Sequence, residues 1–177
     1  MKQSKVGKVH GNVYAGPGDH VRDAVARLLD ASGEMHFISV LNVAEDYVEF
    51  PHHRDVLHVH AGLNDAPKGQ PPPWGEPNSA AAYLHGVLML DRLVDISDRV
   101  YIHCHEGVSR TGIILSLYFG WVYNILPKEA ESQIKSVYDR IDVHPKHWEV
   151  APEVMHSLSI HHLSCRYYWR GLGIIGG

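Results

Sequence analysis

Positions 103–112 of the chain read HCHEGVSRTG, and the predicted architecture is built outward from this stretch. The preceding residues, 99–102, read RVYI, a β-branched and aromatic run that is typical of a buried strand. Residues 112–123 are apolar almost throughout, at a length that favours a helix. The stretch is therefore predicted to be a strand-to-helix loop, with Cys104 at the end of the strand and Arg110 near the first turn of the helix.

A loop of this kind brings together groups that suit a phosphate dianion. A helix N-terminus presents unpaired backbone N–H groups and the positive end of the helix dipole, and the same field stabilises a thiolate. Five residues separate Cys104 from Arg110, whose planar guanidinium can hold two phosphate oxygens. Gly107 and Gly112 allow the backbone to approach a ligand closely. The alternative is a buried, inert cysteine followed by an arginine by chance, since free cysteines are often buried.

The full pattern H-C-x-x-G-x-S-R-T-G resembles the active-site signature of the cysteine-dependent protein tyrosine phosphatases, and its ending is most similar to the dual-specificity branch. The resemblance implies that Cys104 attacks phosphorus and that Arg110 holds the phosphoryl group. It implies that Thr111 or Ser109 helps the phosphocysteine turn over, and that His103 orients the loop. No metal or other cofactor is implied. The substrate phosphate is expected to bind to the loop residues His105, Glu106, Gly107, Val108, Ser109 and Arg110.

A long segment rich in proline and glycine, residues 61–79, precedes the next predicted helix. Loops of this length inside compact domains are usually functional or disordered inserts. Phosphate transfer to a cysteine needs an acid that protonates the leaving oxygen. By resemblance this acid is Asp65, because it follows a strand where the family places its aspartate. Glu76 is the reserve candidate, and a solvated turn residue is the alternative interpretation of Asp65.

The hydrophobic pattern of the chain predicts a single α/β domain over residues 1–170, with 171–177 as a flexible tail. Its sheet is expected to be mixed but largely parallel, with four or five strands and helices on both faces. The signature loop should lie at the carboxyl end of a central strand, where open α/β sheets bind ligands. Strands are predicted over residues 9–14, 37–43, 56–59 and 99–102, and helices over residues 19–33, 79–94, 112–123, 127–141 and 152–163.

Composition narrows the class of protein further. A formal net charge of -4 supplies no general attraction to nucleic acid or to anionic lipid. No apolar run reaches the roughly 18 residues of a membrane helix, and no secretory signal is evident, so a cytoplasmic location is expected. Two cysteines, Cys104 and Cys165, form no disulfide framework. The chain has 15 histidines, but their spacing does not favour a metal site.

The function that the sequence favours is a phosphomonoesterase that works through a phosphocysteine. Phosphotyrosine of proteins is the first substrate class, with phosphoserine and phosphothreonine left open. Glu106 at the mouth of the loop disfavours a phosphoinositide, and Ser109 before the arginine disfavours an RNA 5′-phosphatase. A non-catalytic phosphate-binding module and a rhodanese-like sulfurtransferase are the alternatives from other classes. A phosphoprotein is the expected partner, with no stable nucleic acid or membrane contact, and the oligomeric state is not predicted.

Overall fold

The computed structural model describes residues 6–30, 37–44, 53–64 and 78–171, with side chains as far as residue 161. Five strands and six α-helices occupy these residues. In chain order they are β1 (Gly7–His10), β2 (Val13–Pro17), α1 (Val21–Asp30), β3 (Ile38–Ala44), β4 (Val56–Leu63), α2 (Ala80–Ile96), β5 (Arg99–Cys104), α3 (Ser109–Tyr123), α4 (Pro127–Val137), α5 (Pro145–Trp148) and α6 (Ala151–Gly171).

The five strands form one sheet in the order β1-β2-β5-β3-β4. Only β1 runs antiparallel to its neighbour, whereas β2, β5, β3 and β4 are mutually parallel. β5 therefore lies at the centre, hydrogen-bonded on both sides and buried at nearly every residue. Burial on both faces explains why Val100, Tyr101 and Ile102 form a continuous apolar run instead of alternating with polar residues. The predicted mixed, largely parallel α/β sheet is confirmed.

Helices cover both faces of this sheet, as predicted. On one face α1 packs Val21, Ala24 and Val25 against side chains of β3 and β5 such as Val40 and Tyr101. On the other face α2, α3, α4 and α6 enclose a larger core that includes Leu41, Ile102 and Leu115. Successive residues of a strand point to opposite faces, so Tyr101 and Ile102 belong to different cores. α3 is apolar all round because it is buried between the sheet and other helices.

Several element predictions were wrong at their ends. The single strand predicted over residues 9–14 is two strands, which turn at Gly11 with a φ of 52°. Asp19 lies inside a short 3-10 helix, Gly18–His20, and so does not cap α1. The helix predicted over residues 127–141 ends at Val137; a core-facing side chain is expected there from the helical spacing, but Val137 is 58% exposed. Residues 145–148, which are expected to form a turn between the last two predicted helices, form the short helix α5, and α6 extends beyond residue 163.

Two predictions concern residues that the structure does not describe, namely the end of the first helix and most of the C-terminal tail. Gly33 and residues 172–177 lie outside the described residues. Within the described ranges, no helix combines the length and the apolar character needed to cross a membrane.

Candidate active site

The carboxyl edge of the parallel strands gathers the parts of the site. Pro17 at the end of β2 is paired with Cys104 at the end of β5, and Ala44 at the end of β3 is paired with Leu63 at the end of β4. Parallel strands end at the same edge of a sheet, so residues far apart in sequence meet there. The loop after β5 leads directly into α3, whose first residue is Ser109. The signature loop therefore lies at the position that the sequence predicted.

Cys104 and Arg110 are both buried at this edge, with exposed fractions of 3% and 2%. Cys104 ends the central strand and Arg110 stands in the first turn of α3. An Nη1 hydrogen of Arg110 is donated to the backbone oxygen of Leu63 at 3.2 Å. Burial lowers the pKa of Arg110 to about 10, so the guanidinium keeps its charge at neutral pH. The loop thus has a buried thiol and a buried cation at its two ends, with five residues between them.

Gly107 lets the loop curl against the end of β2. Its φ is 68°, in the left-handed region that favours glycine. A Cβ on Gly107 would collide with the carbonyl group of Gly16 and approach Pro17 N to 2.8 Å. The backbone N–H of Gly18 donates to the oxygen of His105 at 2.9 Å, which holds the loop from the same side. Only a glycine fits at this contact, so Gly107 shapes the loop through its backbone.

The chain that follows α4 supports the loop from behind. Tyr138 donates its hydroxyl proton to the oxygen of Gly107 at 3.3 Å, and the N–H of His144 donates to Ser109 Oγ at 2.9 Å. A Cβ on Gly112 would lie 2.8 Å from Val143 Cγ2 and 2.9 Å from Ile141 Cγ2, so this side of α3 is in tight contact. From the sequence, only a helix over residues 127–141 is predicted here, and no contact with the loop is indicated for Tyr138 or His144. Their contacts with the loop depend on the path of residues 138–144, which no local pattern reveals.

Thr111 and Ser109 differ in how their hydroxyl groups are engaged. Thr111 is fully buried, and its Oγ1 has no hydrogen-bond partner among the described residues. Ser109 Oγ already accepts the His144 N–H. A buried hydroxyl without a partner is costly unless a ligand or a reaction intermediate uses it. Thr111 can therefore donate its hydroxyl proton to a group bound in the site, and Ser109, whose oxygen only accepts from His144, can still donate its own.

His103 is buried directly beneath the loop, with its ring against other rings on the α1 face. Its ring centroid lies 5.8 Å from that of Tyr101 and 6.4 Å from that of His58, in stacked arrangements. Its Nδ1 faces the backbone oxygen of Cys104 at 3.4 Å. Burial, with smaller contributions from His58 and His105, lowers the pKa of His103 to about 4. The ring is neutral at physiological pH, and its Nδ1 hydrogen is available to the Cys104 carbonyl.

The other predicted site residues divide into two groups. His105 and Glu106 are exposed on the outer side of the loop, whereas Val108 closes it as the residue before α3. Asp65 and Glu76 both lie in residues 65–77, outside the described residues, so the acid remains a sequence prediction. Among the residues that the structure describes, no three His, Cys, Asp or Glu side chains are placed to hold a metal ion.

A network of three hydrogen-bonded side chains lies near the site, and no sequence pattern predicts it. It joins Asn78, Tyr83 and His147 by hydrogen bonds. Asn78 precedes the helix predicted over residues 79–94 and Tyr83 belongs to it, and this local pattern indicates no contact of either residue with His147. His147 is only 1% exposed. Its burial could not be predicted, because the sequence around it is polar and resembles a surface turn.

No family model and no curated protein matches the chain. Solved structures do match it over most of its length. The structure of Tk-PTP in the active form is 21% identical, with a TM-score of 0.62, and the match covers 88% of this chain and 99% of that chain. PTPMT1 in complex with PI(5)P is 20% identical, with a TM-score of 0.66, over 90% and 99% of the two chains. A mouse putative dual specificity phosphatase complexed with zinc tungstate is 13% identical, with a TM-score of 0.70, over 92% and 94%.

The alignments with these structures cover nearly the whole of both chains, and at such low sequence identity they show a shared fold. The fold implied by the resemblance of the signature loop is therefore confirmed. The chain has the fold of the cysteine-dependent protein tyrosine phosphatases, in the form shared by the dual-specificity branch.

Proposed function

We propose that the protein is a phosphomonoesterase that forms a phosphocysteine on Cys104. The observation that carries this proposal is the burial of Cys104 and Arg110 on one strand-to-helix loop. No side chain caps the N-terminus of α3, so its positive end is directed into the loop. Structural neighbours that are phosphatases support the same class of reaction.

The proposed reaction has two steps. In the first, the Cys104 thiolate attacks phosphorus, the S–P bond forms and the O–P bond to the leaving group breaks. Asp65 donates its proton to the leaving oxygen, while Arg110 and the loop amides hold the equatorial oxygens. In the second, Asp65 accepts a proton from water, whose oxygen displaces the Cys104 sulfur from phosphorus. In this scheme the Thr111 hydroxyl, which has no hydrogen-bond partner among the described residues, donates a hydrogen bond to the departing thiolate.

Phosphotyrosine of proteins is the proposed substrate class, with phosphoserine and phosphothreonine as further candidates. Glu106 is exposed on the loop, and its carboxylate would repel a ligand that carries several phosphates. A phosphoinositide is the second candidate, because the neighbour PTPMT1 was solved in complex with PI(5)P. The partner is accordingly a phosphoprotein, without stable contacts to nucleic acid or membrane, and the proposed location is cytoplasmic.

Hydrolysis of p-nitrophenyl phosphate without added metal tests the reaction. We expect wild type to be active and sensitive to orthovanadate, and Cys104→Ser to be inactive. Cys165→Ser is the matched control, since it removes the other cysteine of the chain. Asp65→Asn should lose turnover together with the alkaline limb of the pH profile, whereas Glu76→Gln should stay close to wild type.

Two results would contradict the proposal. Full activity of Cys104→Ser would exclude a phosphocysteine, and an inactive wild type that still binds phosphate would favour a non-catalytic module. If Glu76→Gln and not Asp65→Asn loses turnover, the acid is Glu76. A comparison of a phosphotyrosine peptide, a phosphoserine peptide, PI(5)P and a 5′-phosphorylated RNA then decides the substrate class.

A further inference from the structure

The side chain of Asn78 joins the two chain segments that border residues 65–77. The backbone N–H of Asn64 donates to Asn78 Oδ1 at 2.8 Å, and Asn78 Nδ2 donates to the backbone oxygen of Asn64 at 2.9 Å. The amide therefore pairs with both backbone groups of one residue, as a neighbouring strand would. Two hydrogen bonds at good distances fix the orientation of the Asn64 backbone, not only its position.

Asn78 is itself held by a buried pair. Its Nδ2 is 3.4 Å from Tyr83 Oη, and Tyr83 Oη is 2.6 Å from His147 Nδ1. Burial lowers the pKa of His147 to about 4, with smaller contributions from the charges of His144 and Arg110. Burial also raises the pKa of Tyr83, which keeps its proton. The neutral ring thus accepts the Tyr83 proton at Nδ1, and the Tyr83 oxygen is oriented toward Asn78.

This network lies beside the phosphate-binding loop. Leu63, the residue before Asn64, accepts a hydrogen bond from Arg110 at 3.2 Å. The residue that caps α5, His144, donates its backbone N–H to Ser109 at 2.9 Å, which ties the helix bearing His147 to the start of α3. The position of the Asn64 backbone relative to the loop is consequently fixed by two connections. One runs through Leu63 to Arg110, and the other runs through Asn78 and its network to Ser109.

Asn64 is followed directly by Asp65, the acid in the proposed function. We propose that Asn78 is a positioning residue for Asp65. Its amide fixes the backbone from which Asp65 departs, relative to Cys104 and Arg110. The inference rests on the proposed function, and Asn78 itself touches neither substrate nor the reacting atoms.

A positioning role predicts a specific kinetic signature. Proton donation by an acid contributes roughly 10²–10⁴-fold to a rate when the leaving group is basic. A phenolate leaves poorly and needs that proton, whereas a dinitrophenolate is a stable anion and leaves without it. A displacement of about 1 Å in a reacting group can cost about 10²-fold. Loss of the Asn78 amide should therefore slow phenyl phosphate hydrolysis and spare dinitrophenyl phosphate hydrolysis.

The experiment measures kcat/KM for phenyl phosphate and for dinitrophenyl phosphate, and compares their ratio between variants. The ratio does not depend on the fraction of folded enzyme, so a loss of stability cannot imitate the effect. Asn78→Ala removes both hydrogen bonds, and Asn78→Asp keeps only the acceptor for the Asn64 N–H. Tyr83→Phe leaves Asn78 in place but removes its oriented partner, and it serves as a second variant if Asn78→Ala does not fold.

Asn12→Ala is the matched control for an amide that bridges backbone groups. Asn12 Nδ2 donates to the oxygens of Val94 and Ser97 at 3.2 and 2.9 Å. It lies at the opposite edge of the sheet, next to Val13, which is paired with Val100 at the start of β5. Its loss should affect stability but leave the ratio of the two substrates at the wild-type value.

We expect Asn78→Ala to lower the phenyl to dinitrophenyl ratio by about tenfold to 10²-fold, part of the full loss in Asp65→Asn. Asn78→Asp and Tyr83→Phe should fall between Asn78→Ala and wild type. In the Asp65→Asn background, Asn78→Ala should cause no further change in the ratio. An unchanged ratio in Asn78→Ala overturns the inference, as does an equal further loss without Asp65. A wild type inactive on both substrates instead contradicts the proposed function.

Discussion

His147 should make the protein less stable as the pH falls. Its ring is 1% exposed, and burial lowers its pKa to about 4 from the ordinary value of 6.5. Between these two values the unfolded chain binds a proton that the folded chain does not, so the free energy of unfolding rises with pH. The contribution of His147 is complete above about pH 6.5 and is lost progressively as the pH falls toward 4.

The size of the effect follows from the two pKa values. One pKa unit corresponds to about 1.4 kcal/mol, so the contribution of His147 at about pH 5.5 is roughly 1.3 kcal/mol smaller than at about pH 7.5. His103, whose pKa burial also lowers to about 4, has the same sign and is present in every variant below. The difference between wild type and a His147 variant therefore isolates one ring.

Urea unfolding at about pH 7.5 and pH 5.5, followed by tryptophan fluorescence, measures this difference. His147→Asn keeps an acceptor near the Nδ1 position for Tyr83 but does not titrate in this range. We expect its free energy of unfolding to fall by about 1.3 kcal/mol less than that of wild type between the two pH values. His85→Asn, on the exposed face of α2, is the control and should follow wild type. Identical pH dependence in wild type and His147→Asn would refute the reasoning.

Three further predictions follow from the site and the core. Gly107→Ala places a Cβ against the carbonyl of Gly16, and we expect kcat/KM for p-nitrophenyl phosphate to drop by about 10²-fold or more; near-normal kinetics would contradict the assigned contact. Thr111→Val removes a buried hydroxyl that has no partner among the described residues, so stopped-flow measurements should show a burst followed by slow turnover, and a burst-free trace would count against its role on the sulfur. Leu115→Ala, at a fully buried position of α3, should lower the free energy of unfolding by about 2–5 kcal/mol, whereas Val137→Ala at an exposed position should change it by less than about 0.5 kcal/mol; equal losses in urea unfolding would show that the assigned burial is wrong.

Much of the fold could be predicted from local sequence patterns. The apolar runs at β3 and β5 and the long apolar stretch of α3 are buried elements whose composition alone reveals their type. Pro127 stands in the first turn of α4 because its missing N–H costs nothing there. The first and last residues of the strands and helices were harder to predict. The turn at Gly11 separates two strands through a positive φ, and the Gly11-Asn12 pair that signals a hairpin lies inside the stretch that was predicted as one strand.

The sequence places Cys104, Gly107 and Arg110 within one local segment, so the chemistry proposed for the loop needs a thiol, a tight backbone turn and a guanidinium that are all close together in the chain. The support for that loop was decided by tertiary structure alone. Tyr138 and His144 reach it from beyond α4, and Asn78, Tyr83 and His147 meet from three distant parts of the chain. Such contacts depend on how strands and helices are ordered in space, and the hydrophobic periodicity of each element specifies its own buried face but not its partner. The proposed phosphate-binding loop is therefore a run of ten consecutive residues, whereas the contacts that support it exist only in the folded chain.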